Sequence, residues 1–407
     1  MSPKISIAAA LIALAACTQQ PQAASSETAA PATAWTRENE AALTEALGTA
    51  ERHALNRDDY LGPLARAGPG QRDAALRRAA LAYAQALARG RADPARLSEH
   101  YSVPRPGGGA DLGAGLDRAL AGNGLAGWLA GLAPQDDEYR ALSEAYVQAN
   151  AQLAAAEGRP APALVDRART LAVNLERRRW LERTPPGTRI DVNTGAATLI
   201  YWRDGRAADT RRVVVGEPGN ETPELGSPLY RLVANPTWTV PRSIQEEEIE
   251  PKGEAYMRRQ NMEWRDGWIV QQPGPRNSLG LVKFDLQNDQ AIYLHDTPAK
   301  SLFGEAERHA SHGCVRVQDA LGFARMIAQD AGVLDDWNEA RAKGDEAFVP
   351  LPRPIPVRLL YHTAFVANGR VTIVPDAYGW DEDVAEALGL PARPRRAAQR
   401  RARDLGP

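Results

Sequence analysis

The spacing of apolar residues divides this 407-residue chain into stretches of different character. Ile5 to Ala16 is almost continuously apolar over 12 residues, behind a single Lys4. That falls short of the ~20 residues a membrane-spanning helix needs and suits the core of an export signal. Residues 18–34 are rich in Ala, Ser, Thr, Pro and Gln without apolar period, which predicts a flexible linker. From Trp35 the period becomes helical. Leu76, Ala80, Tyr83 and Leu87 share one face, as do Tyr139, Leu142, Tyr146, Ala149 and Leu153, and then Leu164, Ala168, Leu171 and Leu175. The Pro- and Gly-rich run 104–113 predicts a loop. Residues 35–186 therefore read as an all-α scaffold without chemistry of its own, with His53 and His100 as surface or packing residues.

Past Pro185-Pro186-Gly187 the period shortens to two. Ile190 and Val192 alternate with polar neighbours, and ATLIYWR and RRVVVG flank Asp204-Gly205, a dipeptide suited to a type I′ hairpin. β-rich segments continue to residue 295. Residues 319–331 form one amphipathic helical pattern, and two closing strands flank Asn368-Gly369. The fold class expected is α+β: a helical scaffold domain, then a β-rich, β-sandwich-like domain over 187–380 with a helix after residue 314. Residues 381–407 read as a basic tail carrying Arg393, Arg395, Arg396, Arg400, Arg401 and Arg403.

Composition narrows the function. Lys and Arg total 49 against 51 Asp and Glu, a formal charge of −2, without the basic excess of a nucleic-acid binder. The two cysteines, Cys17 and Cys314, exclude a disulfide-stapled scaffold and a cysteine-rich zinc site. Leu14-Ala15-Ala16-Cys17 resembles the lipobox of bacterial lipoproteins, which implies lipid on the Cys17 sulfur and a membrane-anchored, periplasmic protein of a Gram-negative bacterium; the alternative is an ordinary secretory signal cut nearby, with Cys17 lost. Thr18 rather than Asp after the cysteine favours the outer membrane. Cys314 is then a lone thiol in an oxidising compartment, a liability unless buried or used.

Its surroundings point to use. In YLHDTPAKSLFGEAERHASHGCVRV (293–317), His295, His309 and His312 precede Cys314 within 19 positions, half of the chain's 6 histidines. A neighbouring imidazole can take the thiol proton and stabilise thiolate. Gly313, lacking a Cβ, lets the N–H groups of residues 313 and 314 converge on an oxyanion. A metal site from His295, His309, His312 and Cys314 has acceptable ligand types but no common zinc spacing, and a buried inert cysteine is the remaining reading. The residues alone do not choose among the three histidines as base.

Residues 188–330 resemble the YkuD-type L,D-transpeptidase catalytic domain. The carriers are His295-Asp-Thr-Pro, Leu302-Phe303 and Ser311-His312-Gly313-Cys314-Val315-Arg316-Val317, with Val215-Gly216, Thr222-Pro223 and PTWTVP at 236–241 upstream. QQPGPRNSLGLVKF at 271–284 and the Asn174–Trp180 run fit the larger, YcbB-like branch. Members of that branch usually hold a peptidoglycan-binding module where this chain has only residues 154–163.

The resemblance implies Cys314 as nucleophile, His295 as general base, and Gly313 with His312 shaping the oxyanion loop, His312 being the second candidate base. Arg316, Tyr293 and Ser311 are candidate substrate contacts. Asp296, next to His295, points elsewhere in a regular strand, and the family more often orients the base through a backbone carbonyl. Residues 236–280 are a candidate lid. The implied reaction joins peptidoglycan stem peptides by 3→3 cross-links through a Cys314 thioester, with no cofactor or metal, and implies acylation by carbapenem-type inhibitors. The alternatives are an L,D-carboxypeptidase or hydrolase on the same stems, and a wall-binding lipoprotein without catalysis.

Overall fold

The computed structural model describes residues 35–98, 101–107, 111–391 and 393. The export signal, Cys17, the linker, His100 and the arginines from Arg395 onward lie outside the described residues.

The first unit is helical. Helices at Arg37–Gly48, Asp58–Ala65, Arg72–Arg89, Leu112–Ala121, Leu125–Leu132 and Asp137–Ala154 share one core with a long helix, Pro162–Trp180, on which Arg72–Arg89 and Asp137–Ala154 pack directly. The face predicted at Leu76, Ala80, Tyr83 and Leu87 is buried, as are Tyr139, Leu142 and Ala149 on the next helix, while Tyr146 and Leu153 sit at its edge. Asp111 and Asp136 cap their helices by accepting backbone N–H groups. Residues 155–161 join the last two helices directly. His53 is a packing residue: its Nδ1 lies 2.9 Å from the Tyr139 hydroxyl, and burial lowers its pKa to about 4.

The Pro162–Trp180 helix departs from its amphipathic reading. From Leu171 to Arg177 every residue is buried, because the helix is packed on both sides. Its polar residues are therefore matched in the interior. Glu176 accepts the N–H groups of Arg91 and Ala92 and pairs with Arg179, both side chains fully buried. Asn174 bridges to Thr363 at the end of the sheet unit. Removing one member of a buried ion pair leaves the other charge without compensation, so Glu176→Ala is expected to cost about 3–5 kcal/mol, read as a loss in denaturant midpoint.

The second unit is built on strands β1 (Arg189–Asn193), β2 (Thr198–Arg203), β3 (Arg206–Gly216), β4 (Leu225–Ala234), β5 (Trp238–Thr239), β6 (Met262–Arg265), β7 (Trp268–Gln271), β8 (Val282–Leu286), β9 (Leu294–His295), β10 (His309–Ser311), β11 (Val315–Val317) and β12 (Ala347–Leu360). The main sheet runs β10-β3-β11-β9-β8-β4-β12-β1-β2, and β2 pairs with β3 as well, so the sheet curls round and closes. The 11-residue β3 makes this possible, pairing with β2 through its first part and with β11 through Val213 and Val214. The enclosed core contains Val192, Leu199, Val215, Leu232, Phe284, Leu294 and Val315. Helix Ala320–Asp330, capped by Asp319, adds Phe323 and Ile327 to it.

The hairpin at Asp204-Gly205 forms with positive φ at both residues (51° and 78°). The one at Asn368-Gly369 also forms, as β13 (Ala364–Ala367) and β14 (Arg370–Ile373), but it does not close the main sheet. Ala364, Val371 and Ile373 pack into the helical core instead. The basic tail expected from residue 381 begins as structure: Trp380–Ala387 is a helix whose Asp381 pairs with buried Arg177. No helix of the described residues is long and apolar enough to cross a membrane.

Candidate active site

Strand pairing gathers the chemistry on one face of the sheet. β11 runs parallel to β9 with Val315 opposite Leu294 and Arg316 opposite His295, and β8 is antiparallel to β9 with Lys283 opposite His295. Val315 and Leu294 point into the core, so by the period of two Cys314, Arg316, Tyr293 and His295 share the other face. Cys314 sits beside Tyr293 and is the diagonal neighbour of His295, a relation that puts backbones roughly 7–8 Å apart and side chains within reach.

The tautomer of His295 follows from its partner. The ring is fully buried and its Nδ1 bonds to the backbone carbonyl of Asp296, which can only accept. Nδ1 therefore carries the proton and Nε2 the lone pair, the form required of a base. The Asp296 carboxylate is engaged elsewhere, with Lys300 and the Leu281 N–H.

Tyr293 lies beside ring and sulfur. Its ring meets His295 edge-on with centroids 5.7 Å apart, while the Cys314 thiol donates to the Ala291 carbonyl oxygen at 3.7 Å. Lys283 Nζ lies 4.4 Å from the centre of the same ring and pairs with Asp285. Burial pushes the thiol up to about 11, opposed by Tyr293 and by the charges of Lys283 and Arg316. The resting nucleophile is thus a neutral thiol rather than a thiolate held ready by an imidazole, and ionisation has to accompany attack.

The loop before Cys314 is braced from inside. Gly313 adopts φ +114°, a conformation that disfavours any side chain. Its N–H donates to Ser311 Oγ, Ser311 Oγ donates to the Cys314 carbonyl at 2.6 Å, and Thr222 Oγ1 donates to the Gly313 carbonyl at 2.7 Å. Thr222 also accepts the Gly216 N–H, where a Cβ would fall 2.0 Å from the Asn220 carbonyl oxygen.

These positions revise three expectations. Gly313 N–H is committed to Ser311, so of the two expected oxyanion donors the loop retains the Cys314 N–H. Ser311 is 1% exposed and occupied within the loop, which removes it as a substrate contact. Arg316 is fully buried opposite His295, where its charge lends positive potential to the sulfur and it presents no surface to a substrate in this structure. His312 Nε2 lies 2.8 Å from Glu248 Oε1, and His309, on β10, has its Nε2 3.0 Å from the Thr194 carbonyl oxygen. Both rings are thereby turned to structural partners. Among the described residues no group of three ligating side chains could hold a metal.

Residues 236–280 form a small folded unit: the three-stranded sheet β5-β7-β6, short helical turns over 242–259, and a core of Trp238, Ile244, Ile249, Met257 and Ile269 that also packs on Tyr293. Lys283, Glu248 and Thr222 were not singled out as site residues by sequence. Thr222, in its Thr-Pro pair, and Lys283, in the run at 271–284, lay within matched motifs, whereas Glu248 carried no signal.

Thr222 makes two buried hydrogen bonds that valine cannot. Thr222→Val is expected to lower the rate of Cys314 acylation roughly tenfold, in line with ~1–3 kcal/mol for unsatisfied buried groups, while Thr222→Ser stays near the parent. Acylation rates set against melting temperatures separate this from general destabilisation.

Residues 187–347 match the family of L,D-transpeptidase catalytic domains, and residues 27–145 match a family described as a scaffold domain. The chain therefore carries an L,D-transpeptidase catalytic domain preceded by a scaffold domain. It is 32% identical over 242 residues to a Haemophilus influenzae protein provisionally named an L,D-transpeptidase, a match covering 53% of this chain and 48% of that protein, so the chain spans about half the length of the curated relative. Among solved structures, an L,D-transpeptidase from Mycobacterium smegmatis overlaps 44% of this chain and 60% of its own at 14% identity, TM-score 0.26. The catalytic domain of an Enterococcus faecium enzyme acylated by ertapenem overlaps 34% of this chain and 85% of its own at 15% identity, TM-score 0.21. Overlaps of that quality transfer no residue role to this chain.

Proposed function

We propose that the protein forms 3→3 cross-links between peptidoglycan stem peptides by cysteine acyl transfer. The reading rests on the alignment of Cys314, Tyr293 and His295 on one face, with the His295 tautomer fixed for proton acceptance. As the Cys314 sulfur attacks the carbonyl of the third residue of a tetrapeptide stem, its proton passes to His295 Nε2 and then to the departing D-alanine nitrogen. A thioester remains. The amine of a neighbouring stem attacks it, gives up a proton to the same imidazole, and releases the sulfur. One amide is exchanged for another.

The small unit over 236–280 serves as the lid that limits water at the thioester. Its Glu248–His312 contact ties it to the nucleophile loop. A carbapenem is opened by the same attack and leaves a stable adduct on Cys314. Lipid on Cys17 would hold the enzyme in the periplasm, on the outer membrane, and placement in the YcbB-like branch rests on the motifs alone.

Incubating the full chain with disaccharide-tetrapeptide and weighing the products tests the reading. Cross-linked dimers are expected. Tripeptide alone would make the protein a carboxypeptidase, and unchanged substrate would remove the catalytic assignment.

A further inference from the structure

A cavity of about 220 Å³ lies where the helical unit meets the sheet, and the acyl-transfer reading does not use it. Its walls include Trp180 and Leu97 from the helical unit, Glu224 from the segment leading into β4, and Trp380 and Asp383 from the last helix.

Glu224 is 7% exposed. Among the described residues its carboxylate accepts one hydrogen bond, from the Tyr361 N–H at 3.3 Å, a poor replacement for water. Burial raises its pKa to about 7, with Arg177 and the Tyr361 N–H pulling the other way and Asp381 adding to the rise. Arg177 is already matched by Asp381 and lies over the Tyr361 ring. The ionisable groups around Glu224 are thus Arg177, Asp381 and Asp383 on the two helices and Tyr101 on the segment after Leu97.

A recess with two indole walls and the carboxylates of Glu224 and Asp383, beside a cation that is already paired, suits a cation carrying an apolar stem. We infer that this cavity binds an alkyl-guanidinium or alkyl-ammonium group, its charge on Glu224 and its stem against Trp180 and Trp380.

Two sources share that chemistry. One is the chain itself: Arg393 is held through its N–H to Glu382 on the helix that supplies Trp380, and five more arginines, Arg395 to Arg403, follow in sequence. The other is a cationic molecule from solution. Two of the cavity's walls lie close in sequence to the braces of the nucleophile loop. Glu224 stands two residues from Thr222, and Trp380 two from Tyr378, whose hydroxyl donates to the Gly216 carbonyl.

Calorimetric titration of the full chain with n-butylguanidinium tests the assignment. Saturable binding is expected to tighten roughly tenfold from pH 6 to pH 8 as Glu224 ionises. Glu224→Gln should weaken it at least about tenfold and flatten the pH dependence. If the tail is the occupant, the unsubstituted chain refuses the probe. A chain with Arg395, Arg396, Arg400, Arg401 and Arg403 replaced by serine then takes it up, with the same sensitivity to Glu224→Gln and to pH. Binding by neither chain, or binding indifferent to Glu224→Gln, overturns the inference. Should Glu224→Gln fail to fold, an affinity unchanged between pH 6 and pH 8 in the chain that binds overturns it alone.

Discussion

Cys314→Ala is expected to abolish acyl transfer, by about 10⁴-fold or more, and to remove every covalent adduct with a carbapenem. The reason is structural as well as chemical. Among the described residues Cys314 is the only cysteine, and Tyr293, His295, Lys283 and Arg316 are arranged about its position. Alanine removes one sulfur from a buried site and should cost about 1 kcal/mol of stability, so the folded variant can be assayed. Product analysis by mass spectrometry, with a melting curve alongside, checks both halves. Cross-linking that survived in Cys314→Ala would leave the sheet face without a catalytic role.

His295→Gln is the second large effect. General-base catalysis is worth roughly 10²–10⁴-fold, and here the base has a neutral thiol to ionise. The thiol's pKa of about 11 gives the loss a distinctive pH signature. Without the imidazole, attack depends on the equilibrium fraction of thiolate, which rises tenfold per pH unit while the pH stays below the thiol's pKa. Carbapenem acylation of His295→Gln, followed by absorbance, should therefore climb about 100-fold between pH 7 and pH 9, whereas the parent enzyme changes far less. A variant with unaltered rate, or with no pH dependence, would show that another group takes the proton. Tyr293, which shares the sheet face with Cys314 and His295, is then the next group to replace.

Local chemistry was readable from the sequence wherever it decided the outcome. The Asp204-Gly205 turn, the helix after Asp319 and the helical faces at Leu76 and Tyr139 follow from turn propensity, capping and period, which act within a few residues. What escaped depends on partners distant in sequence. The Pro162–Trp180 helix reads as amphipathic, yet it is buried on both sides because the Trp380 helix and the sheet end cover its polar face, with Asp381 and Thr363 as the partners. The hairpin at Asn368-Gly369 was legible as a hairpin, but its destination was not.

The site divides in the same way. Ser-His-Gly-Cys and an upstream histidine mark the chemistry. The roles of Ser311, His312 and Arg316 turn on which atoms they reach, and those atoms belong to Cys314, Glu248 and the buried face of β11. Lys283 meets the site only through the pairing of β8 with β9, a contact that no spacing along the chain encodes.

The central claim is that an acyl group passes through the Cys314 sulfur. Rapid quenching of the full chain during turnover of disaccharide-tetrapeptide, followed by intact-mass and peptide mapping, tests it most directly. The account predicts a thioester-linked disaccharide-tripeptide on the peptide containing Cys314, formed in step with release of one D-alanine. D-alanine released at full rate with Cys314 unmodified at every quench time would contradict it.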